Sequence, residues 1–127
     1  MSLVRVERWL AQRLSALAPV AVHVAPPDLP FPHIVITPVS ALDVYSLGLD
    51  RLVTECRYQV LVVVRGASAV PAEPLADQVD AVLHGASDPA AGIVACRRDR
   101  ALSLADRSEA EEYRLLGGEY VIVVTDS

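Results

Sequence analysis

The stretch "RLVTECRYQVLVVVRG", residues 51–66, decides the fold of this chain. Over its first half Cys56, Tyr58 and Val60 fall on one side, and Glu55, Arg57 and Gln59 on the other. A period of two is that of a strand with one face in a core and one face toward water. From Val60 to Val64 the alternation yields to an unbroken apolar run. That end of the strand is therefore expected to be covered on both faces. Gly66 closes it.

Working back from this strand, "SALDVYSLGLDR" (40–51) has Gly48 among scattered Ser and Asp and reads as a loop or a loose hairpin arm. "HIVITPV" (33–39) reads as a strand. Pro38 cannot donate to a ladder, so it either ends that strand or sets it at a sheet edge. Before it, "APPDLPFP" (25–32) holds four prolines, Pro26, Pro27, Pro30 and Pro32. "VAVHVA" (20–25) reads as a further short strand. Leu3, Val6, Leu10, Leu14 and Leu17 recur at three- and four-residue steps, which predicts an amphipathic helix that Ser2 caps and Pro19 ends.

Working forward, "SAVPAEPLADQVDAVLHG" (68–85) predicts a second helix. Pro71 and Pro74 suit only a first turn, and Gly85 fits a left-handed cap. "GIVACRRDRALSLAD" (92–106) reads as a strand from Ile93 that turns polar. "DRSEAEEYR" (106–114) reads as a charged connection, and a last strand is expected from about Tyr113 to Thr125. Gly117-Gly118 within it signal a bulge, a bend or a close backbone approach. The order helix, strand, strand, strand, helix, strand, strand predicts an α+β domain. It has a mostly antiparallel sheet of four to five strands, with both helices on one face.

Composition narrows the function. The 127 residues suit one domain, 1–127, and 53% are apolar but only 5% aromatic, so the core is aliphatic. A net charge of −5 argues against general or sequence-specific nucleic-acid binding, which needs a basic face. All eleven basic residues are Arg. That reflects either the base composition of the genome or a surface built for forked contacts to carboxylates. Cys56 and Cys96 read as buried free thiols of a reducing compartment. No signal peptide is read in the first residues and no apolar run is long enough to cross a membrane, so the chain is expected to act in the cytoplasm.

No catalytic constellation emerges. His23, His33 and His84 have no metal-ligand spacing, and His84 suits the dipole at a helix end. Ser103, Asp106 and Ser108 lack a nucleophile elbow and a nearby histidine. No glycine-rich phosphate loop is present. Neither metal nor cofactor is expected, and no enzyme activity. The charge features are Arg97, Arg98 and Arg100 in "CRRDR" and Glu109, Glu111 and Glu112 in "EAEE". They read either as a ladder within one hairpin or as the two halves of a seam between subunits.

Four segments together resemble the tail-terminator and tail-completion proteins of tailed bacteriophages and phage-like particles. They are Pro30-Phe31-Pro32 before a strand, the strand at 58–66, "LADQVDAVLHG" at 75–85 and the closing "GEYVIVV" at 118–124. The resemblance implies a structural virion protein of the tail or neck, assembled in the bacterial cytoplasm. It implies a homo-oligomeric ring, a hexamer, that ends tube polymerisation. The tail tube protein and the head–tail connector are its implied partners. Within that frame the prolines would present Leu29 and Phe31 as a preordered contact, since restricted φ lowers the entropy lost on ordering. The other reading of Phe31 is a plug under the first helix. The competing functions are a neck or connector protein of the same particle, and a small dimeric ligand-binding or regulatory module.

Overall fold

β3 (Arg51–Arg65) runs through the middle of a five-stranded sheet of order β1-β2-β3-β5-β4, in the computed structural model of the chain. The structure describes residues 3–26, 28–108 and 111–125. Ser2, Pro27 and Glu109, which the sequence reading singled out, lie outside them. β2 (His33–Tyr45) and β5 (Glu111–Val124) flank β3 antiparallel, and β4 (Ile93–Ser108) pairs antiparallel with the far side of β5. β1 (Val20–Val22) adds three residues parallel to β2. It ends earlier than the alternation of "VAVHVA" suggests, because His23 takes a left-handed conformation and pairs with Glu7.

Both helices, α1 (Leu3–Leu14) and α2 (Glu73–Leu83), pack on one face of the sheet. Val6, Trp9, Leu10 and Leu14 of α1 meet Val79 and Leu83 of α2 over Ile34, Ile36, Tyr58, Val60, Ile122 and Val124. Each such side chain removed from water contributes about 1.5–3 kcal/mol before entropy is counted. Two tyrosines tie helices to sheet: Tyr120 Oη donates to Asp80 Oδ1 at 2.8 Å, and Tyr58 Oη to the Leu3 carbonyl at 3.3 Å. Trp9 Nε1 donates to Asp88 Oδ2 at 3.2 Å. Pro74 stands in the first turn of α2, and Gly85 takes the left-handed cap at φ 85°.

The run from Val60 to Val64 is buried throughout, as its lost alternation implies. Several boundaries differ from the sequence reading. Pro38 does not end β2. The strand continues to Tyr45 past a bulge between Pro38 and Ser40, on an edge that β1 no longer covers. Of the two readings of residues 40–45, loop or hairpin arm, the structure shows the arm, paired with β3. The charged connection is also mostly strand, since Arg107 pairs with Glu112 in register. Consecutive strands are not always neighbours, because β5 inserts between β3 and β4.

The double glycine is explained by close approach. A Cβ on Gly117 would sit 2.1 Å from the Val60 carbonyl oxygen of the adjacent strand. On the other flank β4 bulges between Arg98 and Arg100, leaving Asp99 as the extra residue.

Candidate assembly surface

The sheet face away from the helices carries the features that set this chain apart from a simple two-layer domain. At one end the prolyl segment folds over it. Phe31 stacks on Tyr113 of β5 with ring centroids 5.8 Å apart, and lies 4.9 Å from His33. The Arg65 guanidinium covers the Phe31 ring at 4.8 Å, a favourable cation–π arrangement. His33 is buried, and its Nδ1 donates to the Pro30 carbonyl at 3.2 Å, pinning the segment to β2. Burial pushes the His33 pKa down, against a smaller opposing effect of that hydrogen bond. Between segment and sheet an open cleft of about 290 Å³ remains, with Leu29, Phe31, Val35, Val63 and Leu115 on its walls. Phe31 therefore does not lie under the first helix; it faces this cleft on the opposite side of the sheet.

The middle of the same face holds an ion network. Arg57 Nη1 contacts Asp99 Oδ2 at 2.6 Å and Glu119 Oε1 at 2.8 Å, while Arg100 Nη2 reaches Glu119 Oε2 at 3.0 Å. The Glu119 side chain is only 7% exposed. Its donors hold it below the ordinary carboxylate pKa, Arg57 above all, and Arg57 does the same to Asp99. The signal for this site was the single carboxylate in "GGEYVIVV".

At the far end the β2–β3 arm carries exposed apolar side chains: Leu42, Val44, Tyr45, Leu47, Leu49 and Leu52. Leu47 is fully exposed and Leu49 is 80% exposed. A backbone hydrogen bond from Ser46 N–H to the Asp50 carbonyl at 2.8 Å closes the tip. Thr54 Oγ1 donates to Asp43 Oδ1 at 2.7 Å behind it. These residues were legible as apolar side chains with no periodic partner, in the segment that reads as a loop or a loose hairpin arm.

Among the described residues the Arg cluster and the acidic run are not brought together. In the β4–β5 hairpin Arg97, Arg98 and Arg100 stand opposite Val121, Tyr120 and Glu119, near the open end. Glu111 and Glu112 stand at the turn end, opposite Ser108 and Arg107. Among the described residues no ladder joins the two runs, because the hairpin folds each onto other partners. Arg98 reaches Asp80 at 3.7 Å, Arg100 takes Glu119, and Glu112 pairs with Arg107. Arg97 is exposed beside Asp99. Glu111 lies 3.9 Å from Arg65 and also accepts from Tyr113.

Among the described residues no three His, Cys, Asp or Glu side chains are placed to hold a metal ion, and no helix is long and apolar enough to cross a membrane. His84 Nδ1 accepts a hydrogen bond from the Arg98 N–H at 3.1 Å, which ties the residue after α2 to β4.

Residues 7–116 match the family model described as tail completion protein gp17. A solved structure is similar over 100% of this chain and 99% of that one, with a TM-score of 0.56 and 18% identity, a likeness of fold. No curated protein matches.

Proposed function

The chain belongs to the tail completion protein gp17 family, and from that premise we propose that copies of it form a ring, a hexamer, that caps the head-proximal end of the phage tail tube. Membership itself makes the chain a structural component of the virion tail, engaged with the tail and head-joining machinery through protein contacts, and not an enzyme. The ring would end tube polymerisation on one side and receive the head connector on the other.

One observation carries the reading. Six large apolar side chains between positions 42 and 52 are exposed on a single arm, where a chain that worked alone would hide or replace them. Phe31 and Leu29 supply a second apolar contact on the other end of the face. Arg97, Arg98 and Arg100 lie in the half of the β4–β5 hairpin away from its turn and Glu111 and Glu112 at the turn, with Glu109 beside them in sequence. Such separated charges suit a head-to-tail seam, in which each subunit offers different residues on its two sides.

The test is the mass and shape of the purified protein, by light scattering and negative-stain imaging, with and without the tail tube protein. Rings that cap tubes are expected. Rings that ignore tubes but bind the connector would make it a neck protein. A monomer or compact dimer that ignores both would remove the ring. Phe31→Asp is expected to abolish tube capping while the circular dichroism spectrum stays native. Unchanged capping would take Phe31 out of the surface.

A further inference from the structure

We propose that the hairpin tip of one copy, Leu47 and Leu49, seats in the prolyl cleft of a second copy. This deepens the ring reading and rests on it. The tip and the cleft lie at opposite ends of one ladder: Tyr45 pairs with Arg51 at the tip end, and His33 pairs with Val63 at the cleft end. The 13 residues of β2 between them span about 40 Å at ~3.3 Å per residue. No chain can fill its own cleft with its own tip. A knob and a hole at different places on one molecule permit a heterologous contact, which in the proposed ring repeats head to tail from copy to copy.

The backbone of the tip points the same way. Leu49 has φ 67°, a left-handed conformation that suits Gly or Asn and is unfavourable for leucine. The tip's own glycine, Gly48, sits one position earlier. A turn shaped for folding alone would put glycine at 49. Here a leucine is held there instead, and its side chain stays 80% exposed. The cleft offers what that side chain lacks: apolar walls from Leu29, Phe31, Val63 and Leu115. The rims match in charge as well. Asp50 flanks the tip, and Arg65, with 58% of its side chain exposed, flanks the cleft.

The experiment uses two variants of the full chain, Leu47→Asp/Leu49→Asp at the tip and Leu29→Arg at the cleft, followed by sedimentation velocity. Each alone is expected to run as a folded monomer. Their mixture should form a 1:1 pair, because one intact tip then meets one intact cleft. Leu49→Gly provides a check free of folding damage: it should melt no lower than the wild type and assemble at least tenfold more weakly. Wild-type rings together with tip variants that still form rings would overturn this contact and leave the ring reading standing. So would a mixture in which both variants stay monomeric. Tip variants that ring normally but no longer cap tubes would assign the tip to the tube protein, and overturn it too. A wild type that never leaves the monomer would defeat both.

Discussion

Arg57 Nη1 lies 2.8 Å from Glu119 Oε1 across the β3–β5 pair, and the same guanidinium holds Asp99 at 2.6 Å. Three strands are thereby joined by one arginine. Removing the Glu119 charge leaves Arg57 and Arg100 with weaker acceptors. Glu119→Gln is expected to lower stability by about 2 kcal/mol, the scale of hydrogen bonds to charged groups. Urea denaturation measures it. A double-mutant cycle with Arg57→Ala should be non-additive, since the two side chains touch. Strict additivity would show the pair to be decorative.

The pH dependence of stability should have two steps of the same sign. Burial lowers the His33 pKa below its ordinary 6.5, so the unfolded chain takes up that proton first. Stability from His33 is present above about 6.5 and is lost as pH falls toward its folded value. Glu119, Asp99 and Glu112 are held below their ordinary values by Arg partners. Their contribution is present above about 4.5 and is lost as pH falls through their folded values. Thermal melts from pH 8 to pH 3 should show a shallow decline from about 6.5 and a steeper one below about 4.5. His33→Gln should remove the first and keep the second.

Gly117→Ala should be severe, costing about 2–4 kcal/mol, because its methyl group meets a backbone carbonyl oxygen at 2.1 Å and not a yielding side chain. Gly118→Ala should cost less. Its nearest neighbour is the Arg98 side chain at 2.8 Å, although the Arg100 carbonyl stands at 2.9 Å. Chemical denaturation of the two variants side by side gives the order, and an equal loss would refute the argument.

Cys56 and Cys96 share a row of the core face, each opposite Ile122 of the strand between them. Two strand spacings of ~4.8 Å put their Cα atoms about 10 Å apart, too far for a disulfide. Burial raises both thiol pKa values, that of Cys96 to about 12. A thiol-reactive dye should label neither cysteine in the native protein and both in denaturant. Reductant should leave the melting temperature unchanged. Rapid labelling of the native protein would contradict the described core.

The parts of the fold written in periodicity were legible. The β3 alternation, the stripe of the first helix, the prolines that start the second and the cap at Gly85 depend on neighbours a few residues away, so local sequence carries them. The insertion of β5 between β3 and β4 depends on which edge is open when the last strand arrives, and no local pattern records that. Pro38 announced a strand end or an edge, and the segment beyond it read as loop or hairpin arm without a choice between them, because its leucines face water and break the expected pattern. The candidate surface divided in the same way. Phe31 stood out as a lone aromatic among prolines, and the structure puts it on an open face. Arg97, Arg98 and Arg100 stood out as a run, but register gave Arg98 and Arg100 partners that sequence distance had hidden.

The sheet order has a consequence for synthesis on the ribosome. β3 must wait, with one side of its aliphatic run unpaired, until 45 later residues have been made and β5 can enter. During that interval the emerging chain has a bare, strongly β-forming edge, the kind of segment that nascent chains in a crowded polysome exchange with one another. Completion of each subunit, and with it any docking of subunits, is therefore tied to the arrival of the last strand. A half-made chain is sticky but cannot yet build.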